Sequence, residues 1–168
     1  RTHTCSEITK KSSGSTVKLS GWLHRKRDHG NLLFFDLRDH FGLTQCVIEN
    51  SNKFFKIVEK IKPESVVCVS GNVVNRSSDT INKDLYTGEV EIKISSFEIL
   101  SESKDLPIPV FGEQEYPEET RLKYRFLDLR RQEMHDNIIL RSKIISFIRN
   151  KMIKNGFIEF QTPILTAS

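Results

Sequence analysis

The residues best suited to chemistry are a run of cations and a pair of aromatic rings that lie close together in the sequence. The cations are Arg25, Lys26 and Arg27, and Phe34 and Phe35 follow shortly after them. Cations neutralise phosphates, and aromatic faces stack on unpaired bases with about 1–3 kcal/mol per base, so a binder of single-stranded nucleic acid requires this combination. By composition alone, however, a charge run is more often a solvated face, and such rings are more often ordinary core and surface residues.

Three polar residues carry the groups that read base edges, namely Gln45, Asn82 and Glu91. An amide can donate and accept hydrogen bonds, whereas a carboxylate accepts from an amino or imino group. Exposed polar residues are common on strands, so this chemistry alone does not assign the three to a site.

Four carboxylates could be imagined as a catalytic set: Asp36, Asp39, Glu89 and Glu91. No nucleophile or ligand cluster accompanies them in the sequence. Pairing of these carboxylates with arginines across neighbouring strands is the simpler interpretation.

The three cysteines, Cys5, Cys46 and Cys68, are odd in number and widely spaced. They form no Cys-x-x-Cys pair and have no matching histidine cluster, so neither a disulfide framework nor a zinc site is indicated. We expect buried, reduced thiols and no metal.

Composition indicates a folded chain of one domain plus part of a second. Of the 168 residues, 37% are hydrophobic and 29% are charged, which is typical of globular proteins. No stretch approaches the ~18 consecutive apolar residues that span a bilayer, and the polar segment from Arg1 to Lys11 lacks the apolar core of a signal peptide. We therefore expect a cytoplasmic protein that does not contact a membrane.

Apolar residues alternate in short runs from Thr16 to Leu100, the two-residue period of half-buried strands. A helix is predicted over Asn52–Ile61, where apolar residues recur at helical spacing before Pro63. The five predicted strands are Val17–Arg27, Leu32–Asp39, Leu43–Glu49, Ser65–Asn75 and Glu89–Leu100. The order β-β-β-α-β-β is that of the OB-fold, a mainly β, five-stranded Greek-key barrel that binds oligonucleotides.

The rest of the chain changes character after the barrel. The polar stretch Arg76–Gly88 suits an exposed loop lining the binding groove, and the acidic, proline-containing segment Ser101–Thr120 suggests a linker without regular structure. From Arg121 the pattern becomes helical. An apolar stripe marks a helix over 138–154, ended by Asn155-Gly156, and a short strand is expected at Phe157–Gln161. The predicted domains are residues 1–104 for the barrel, 105–130 for the linker or hinge, and 131–168 for the start of an α+β domain.

Several motifs in a fixed order resemble bacterial aspartyl-tRNA synthetases, which are class II enzymes, over essentially the whole chain. In the N-terminal part the similar segments are Arg1-Thr2-His3-x-Cys5, Gly21 to Gly30, Phe35 to Asp39, Gly42-Leu43-x-Gln45 and Asn82 to Glu91. Further along, Glu119 to Arg131 resembles the family's hinge signature. Gly156 to Leu165 resembles class II motif 1, the helix–strand–proline element of the dimer interface.

The resemblance implies roles that the residue chemistry only allowed. Phe34 would stack on the central anticodon base and Gln45 would read that uridine. Arg27, Glu91 and Asn82 would contact its neighbours, with Arg76 near the RNA backbone. The register of the resemblance, not the alternation rule, chooses Phe34 over Phe35 for the face that binds RNA.

Two further positions bear on which tRNA is charged. His29, together with the absence of lysine at Asp79, resembles non-discriminating enzymes that aspartylate both tRNA(Asp) and tRNA(Asn). Lysyl- and asparaginyl-tRNA synthetases share the architecture, but Arg25 to Gly30 and the opening Arg1 to Cys5 favour the aspartyl enzymes. Two alternatives stay open: a free-standing OB-fold module that binds single-stranded RNA or DNA, and a catalytically inactive synthetase paralogue.

The activity implied for a full-length parent is aspartate–tRNA ligation through an aspartyl-adenylate, with L-aspartate, ATP and Mg²⁺ as reactants. The chain stops just after motif 1, so no catalytic residue can be assigned, no cofactor is expected in this part, and we predict that it forms no adenylate. Gly156 and Pro163 would belong to the homodimer interface. Ile164, Leu165 and one face of the 138–154 helix would lack partners, which favours self-association or partial disorder beyond about residue 105.

Overall fold

A computed structural model describes residues 1–163 of the 168-residue chain, so the expectations for Ile164 and Leu165 lie outside the described residues. The chain divides into two compact units, Arg1–Leu106 and Pro107–Ser168. Each unit is described by itself.

The first unit is the predicted OB-fold barrel. Its strands are β1 (Thr16–Asp28), β2 (Leu32–Arg38), β3 (Leu43–Glu49), β4 (Val66–Asn75) and β5 (Val90–Ser101). They close in the order β1-β2-β3-β5-β4, and β4 pairs back onto β1. Neighbours are antiparallel except for β3 and β5, which are parallel. The predicted fold class is confirmed, and each strand boundary lies within one residue of the prediction.

One long strand, β1, joins both halves of the barrel. Its first half pairs with β4 and its second half pairs with β2, and the register shifts between Leu23 and Arg25. At Gly21 a Cβ atom would overlap the carbonyl oxygen of Arg38, so this close backbone approach requires glycine.

The barrel interior is filled by alternate residues of all five strands, with Leu19, Phe35 and Ile92 fully buried. The arm that precedes β1 also contributes, because Cys5 and Ile8 are buried in the same core. The three cysteines are free and buried, which confirms the expectation of buried, reduced thiols. Burial also raises the pKa of the Cys5 and Cys46 thiols.

Helix α1 (Phe55–Lys60) lies between β3 and β4, as predicted, but it begins three residues later than the pattern suggested. The Asn52 side chain explains this difference because it accepts a hydrogen bond from the Phe54 amide (3.0 Å) and donates to the Ile94 carbonyl (2.9 Å). Asn52 therefore forms a turn before the helix. At the other end, Lys26 Nζ donates to the carbonyls of Glu59 and Ile61, both at 2.6 Å, and so caps the helix C-terminus.

A buried ion pair ties the segment after α1 to the barrel. Arg38 Nη2 lies 2.8 Å from Glu64 Oε2, and the Glu64 side chain is only 5% exposed. Burial acts to raise the pKa of this carboxyl, but the polar contacts and positive charge of His24 and Arg38 outweigh it, so the pKa lies below its usual value.

We expect the pair to make stability depend on acid pH. Because the pKa of Glu64 is lower in the folded protein, its stabilisation is present above the carboxyl's ordinary pKa and is lost as pH falls through the folded value. Glu64→Gln should lower the free energy of unfolding by roughly 2 kcal/mol at pH 7 and by much less at a pH below the pKa of the folded carboxyl, as measured by urea denaturation. The control is Asp105→Asn, which alters the exposed pair with Lys62 and should show no such dependence. An equal effect of Glu64→Gln at both pH values would contradict the assignment.

The second unit is helical: α2 (Glu118–Lys123), α3 (Arg125–Asp128) and α4 (Gln132–Lys154). The expectation that Ser101–Thr120 lacks regular structure is wrong at both ends, because Ser101 completes β5 and α2 begins at Glu118. Both short helices lie within residues 105–130, the predicted linker or hinge, and α3 agrees with the helical character expected from Arg121. Asp128 is buried, and its carboxylate forms ion pairs with Arg121 of α2 (3.0 Å) and Arg125 of α3 (2.5 Å).

Helix α4 begins earlier than the apolar stripe predicted and ends as expected. Gly156 has a φ of +84°, and the amides of Gly156 and Phe157 bond to the carbonyls of Ile153 and Met152, which is a Schellman cap. The strand expected at Phe157–Gln161 is absent. A strand requires a hydrogen-bonded neighbour, and no strand within residues 1–163 pairs with this segment, whereas Glu159 forms an ion pair with Arg149 at 2.6 Å.

Helix α4 buries none of its side chains. Isoleucines along it, including Ile145 (42% exposed) and Ile148 (54%), remain accessible, as does Phe157 beyond its end (59%). Among the described residues, no helix is both long and apolar enough to cross a membrane.

Candidate nucleic-acid interface

A groove of about 540 Å³ on the outside of the barrel brings together most of the residues proposed from the sequence. The ends of β1 and β4, the start of β5 and the middle of β2 and β3 supply its walls. The residues lining it are Arg27, His29, Phe34, Gln45, Asn75, Arg76, Ser77, Thr80 and Glu91.

The two adjacent aromatic rings take opposite faces of β2, as strand alternation requires. Phe35 is fully buried in the core, where its ring meets that of Phe97 edge to face at 6.0 Å. Phe34 is half-buried on the outer face and lines the groove, and the ring of His29 contacts it edge to face at 5.4 Å. Phe34 therefore offers a ring face to a ligand, whereas Phe35 does not.

The neighbouring cations Lys26 and Arg27 also take opposite faces of their strand, β1. Arg27 is opposite Phe34 in the β1–β2 ladder and lies on the groove side. Lys26 is opposite Phe35, and its ammonium group is engaged at the end of α1. Of these two cations, only Arg27 lines the groove.

A chain of hydrogen bonds crosses the floor of the groove and is centred on Gln45, which is 5% exposed. Arg27 Nη2 donates to Gln45 Oε1 at 3.0 Å and also to Asp36 Oδ1 at 2.8 Å. Gln45 Nε2 in turn donates to Glu91 Oε2 at 2.8 Å. The amide is therefore held between a cation and an anion.

Arg76 is the least satisfied polar side chain of the groove. Its side chain is 10% exposed, and its Nε and Nη1 atoms are buried without a hydrogen-bond partner. The nearest carboxylate oxygen, Glu91 Oε2, is 4.0 Å from Nε, which is too far for a hydrogen bond. Buried donors of a guanidinium are costly to leave unpaired, so the geometry favours an acceptor supplied by a ligand.

Each of the four carboxylates considered as a catalytic set has a cation partner, but only Asp36 on β2 and Arg27 on β1 form the expected arginine pair between two strands. Asp36 pairs with Arg27 (2.8 Å), and Glu89 pairs with Lys10 (2.7 Å). Asp39 and Glu91 have longer contacts with arginines. Burial raises the pKa of Asp36, although the neighbouring Arg27 acts in the opposite direction. Within residues 1–163, no group of three or more histidine, cysteine, aspartate or glutamate side chains is placed to hold a metal ion.

Two residues proposed from the resemblance do not line the groove. Asn82 Oδ1 accepts a hydrogen bond from the Asp84 amide at 3.0 Å, which closes a turn in the β4–β5 loop. Asp79 is exposed in a single 3₁₀ turn, Ser78–Thr80. Both belong to the loop that borders the groove.

Sequence reasoning did not single out three lining residues, Asn75, Ser77 and Thr80. Two of them lie in the loop that was expected to border the groove, so their hydroxyl groups were a usable signal. The groove thus combines a stacking ring, a fixed amide, hydroxyl groups and a cation with unpaired donors. These are the groups that bind an unpaired nucleotide.

Comparison with known proteins also indicates a nucleic-acid-binding domain. Residues 17–100, half of the chain, match the family of OB-fold nucleic acid binding domains, and residues 117–168 match class II tRNA synthetases (D, K and N). The chain belongs to the OB-fold nucleic acid binding family.

The most informative relatives are bacterial proteins named Aspartate--tRNA(Asp/Asn) ligase. That of Pelagibacter ubique is 65% identical and that of Phenylobacterium zucineum is 59% identical, in both cases over 168 residues and the whole of this chain. The chain spans only 28% of the length of either relative. The resemblance to bacterial aspartyl-tRNA synthetases is confirmed.

Solved structures agree on the fold. The asparaginyl-tRNA synthetase of Pyrococcus horikoshii aligns with a TM-score of 0.82 at 27% identity, over 99% of this chain and 38% of that one. A putative aspartyl-tRNA synthetase from Leishmania major aligns with a TM-score of 0.85 at 21% identity, over 97% of this chain and 35% of that one, and bears on the fold alone.

Proposed function

We propose that this chain recognises the anticodon loop of tRNA(Asp) as the N-terminal part of an aspartate–tRNA ligase. The observation that carries the proposal is Arg76, a nine-tenths-buried cation with two unpaired donors, in the groove that also holds the Phe34 ring and the Gln45 amide. A loop nucleotide supplies what these three groups lack: an acceptor for the guanidinium, a base face for the ring and a base edge for the amide.

Each groove residue then has a defined task. Phe34 stacks on the central base of the anticodon, and Gln45 reads that base as uridine. Arg27 and Glu91 contact the neighbouring bases, and Arg76 binds near the RNA backbone. Asn82, in the bordering loop, contacts a flanking nucleotide when that loop closes on the RNA.

The full-length enzyme would attach L-aspartate to tRNA through an aspartyl-adenylate. We assign ATP and Mg²⁺ to the further part of the full-length enzyme, since this chain spans only 28% of the length of the relative from Pelagibacter ubique. No catalytic step is assigned to residues 1–163. Their contribution is binding and orientation of the tRNA.

The same enzyme would charge tRNA(Asn) as well as tRNA(Asp). Support comes from His29, whose ring contacts Phe34 at the rim of the groove, and from the exposed loop position 79, which holds aspartate and not lysine. The names of the relatives, Aspartate--tRNA(Asp/Asn) ligase, point the same way. Aspartylation of both tRNAs by the full-length enzyme tests this, and failure to aspartylate tRNA(Asn) would exclude the relaxed specificity.

A homodimer through the motif 1 region, including Gly156 and Pro163, accounts for the exposed apolar face of α4. We expect the chain to self-associate in sedimentation velocity, because side chains such as Ile145, Ile148 and Phe157 are accessible beside one another along a groove of about 390 Å³. Ile148→Glu should shift the chain towards monomer, and Lys143→Glu, an exposed charge reversal on the same helix, is the control. A monomeric wild-type chain, or equal effects of the two variants, would contradict the interface.

The test of anticodon recognition is binding of the chain to stem-loops. We expect the tRNA(Asp) and tRNA(Asn) anticodon stem-loops to bind more tightly than a stem-loop with a scrambled loop. Purely electrostatic binding weakens similarly for all three as salt rises, whereas base readout leaves a difference between loops. Equal affinities at both a low and a high salt concentration would reject the proposal.

A further inference from the structure

Gln45 occupies a position in which the direction of its side-chain amide is decided by its neighbours. A neutral amide can rotate by 180° and exchange its donor and its acceptor, so a lone glutamine can satisfy either of two complementary base edges. Gln45 lacks this freedom because it is buried and has a charged partner on each side.

The two partners impose one direction by their chemistry. Arg27 carries only donors, so the atom that faces it at 3.0 Å must be the amide oxygen. Glu91 is an acceptor when ionised, so the atom that faces it at 2.8 Å must be the amide nitrogen. A rotated amide would place N–H against the guanidinium and C=O against the carboxylate, which is unfavourable at both ends.

The surroundings also hold the partners in place. Arg27 Nη2 is shared with Asp36 Oδ1 at 2.8 Å, and the Asp36 side chain is 16% exposed. Asp36 and Gln45 are directly opposite each other in the β2–β3 ladder, so the cation and the amide are fixed to the same rigid pair of strands. On the other side, Glu91 follows the first residue of β5, next to Arg76.

We infer that Arg27 and Glu91 act as positioning residues that lock the Gln45 amide in one direction, and that this lock makes the site accept uridine and reject cytidine. The inference rests on the proposed anticodon function and names the source of its base specificity. Neither residue needs to touch the central base itself to exert this effect.

The remaining hydrogen-bonding capacity of the locked amide matches one pyrimidine edge. After bonding to its partners, Gln45 retains one N–H donor and one oxygen lone pair. Uridine offers an acceptor at O4 beside a donor at N3, whereas cytidine offers a donor at N4 beside an acceptor at N3. In the same stacked pose on Phe34, cytidine would therefore oppose donor to donor and acceptor to acceptor.

The test compares two stem-loops that differ only in the central anticodon base, uridine or cytidine, with the chain and with Arg27→Gln/Glu91→Gln. We expect the wild-type chain to prefer uridine by roughly ten- to a hundredfold, the discrimination that a bidentate pair supplies. In the double variant, glutamine can donate or accept on both sides, so the Gln45 amide can rotate. Its preference should fall to within about threefold because cytidine binding improves.

The ratio of the affinities for the uridine and cytidine stem-loops distinguishes the lock from a structural role. Loss of fold alone would weaken the binding of both stem-loops equally and leave this ratio unchanged. Glu98→Gln, which changes an exposed carboxylate on the same strand as Glu91 but outside the groove, serves as the matched control and should keep the wild-type ratio. If the double variant binds and retains the wild-type ratio, the lock is wrong while anticodon recognition stands. If the wild-type chain does not prefer the anticodon loops over a scrambled loop, the proposed function fails and the lock fails with it.

A measurement on the unaltered chain covers the case in which the double variant does not fold. In NMR spectra, the Gln45 side-chain amide protons should show nuclear Overhauser contacts to the Glu91 methylene groups and slow exchange with solvent. Rapid exchange and averaged contacts would show a freely rotating amide and would overturn the inference.

Discussion

Phe34→Ala should lower the affinity for the anticodon stem-loops by roughly 5- to 150-fold, which corresponds to the loss of one stacked base. The ring lies on the outer face of β2 and is not part of the core cluster, so its removal should leave the barrel folded. Fluorescence anisotropy with labelled stem-loops measures the affinity, and circular dichroism checks the fold. The preference for the cognate over the scrambled loop should fall along with the affinity.

Two further substitutions separate stacking from simple bulk. Phe34→Trp keeps an aromatic face and should retain most of the affinity, whereas Phe34→Leu keeps an apolar side chain without that face and should behave like Phe34→Ala. Phe35 is unsuitable as a control because it is fully buried in the barrel. Wild-type binding by the leucine variant would show that the ring does not stack on a base.

The largest effect on stability is expected at Asp39, the residue after β2. Its carboxylate accepts hydrogen bonds from the amides of Cys5 (2.8 Å), Phe41 (2.8 Å) and Gly42 (3.0 Å) and is 8% exposed. Asp39→Ala leaves these donors without their acceptor and releases the N-terminal arm from the β2–β3 turn. We expect a loss of about 3 kcal/mol or more in the free energy of unfolding, measured with urea.

The size of the loss should follow the number of acceptors that remain. Asp39→Asn keeps one carbonyl oxygen for the turn amides and should lose about half as much, because the bond to the Cys5 amide is then missing. Asp84→Ala, an exposed aspartate in another turn, should have a small effect. Equal stabilities of the two Asp39 variants and the wild-type chain would show that this carboxylate does not hold the arm.

Much of the barrel could be predicted because its signals are local. The two-residue period marks strands such as Leu43–Glu49, whose predicted bounds equal the observed ones, and Pro63 marks the chain region where α1 stops. The Arg27–Asp36 pair formed because the neighbouring strands β1 and β2 present alternate residues on the same face, whereas Glu89 and Asp39 pair with cations of the N-terminal arm. The order of the elements then leaves few topologies beyond the OB-fold.

The features that were not predicted depend on contacts distant in sequence. Alternation separates Phe34 from Phe35 but does not say which one is inside, and only the register of the resemblance selected Phe34. The spacing of residues in the sequence does not indicate that Arg76 is buried or that hydrogen bonds fix Gln45. Gln45 and Glu91 are far apart in the sequence and meet only because β3 and β5 pair. The same limit applies to Asn52, whose side-chain bonds to the Phe54 amide and the Ile94 carbonyl delay the start of α1.

The strand expected at Phe157–Gln161 was wrong for a related reason. Its alternating apolar residues fit a strand, but a strand forms only where another strand pairs with it. Within the described residues this segment instead lies beside α4, where Glu159 pairs with Arg149.

The central claim, that the groove reads the anticodon loop, is tested most directly by following two side chains by NMR while a stem-loop is added. The signals are the Arg76 Nε–H, which has no hydrogen-bond partner in the groove, and the Gln45 side-chain amide. We predict that both shift strongly with the cognate anticodon stem-loop and little with the scrambled one. If both signals stay unchanged while Lys56 and Lys60 on α1 shift equally with either loop, binding is electrostatic and the groove does not read the anticodon.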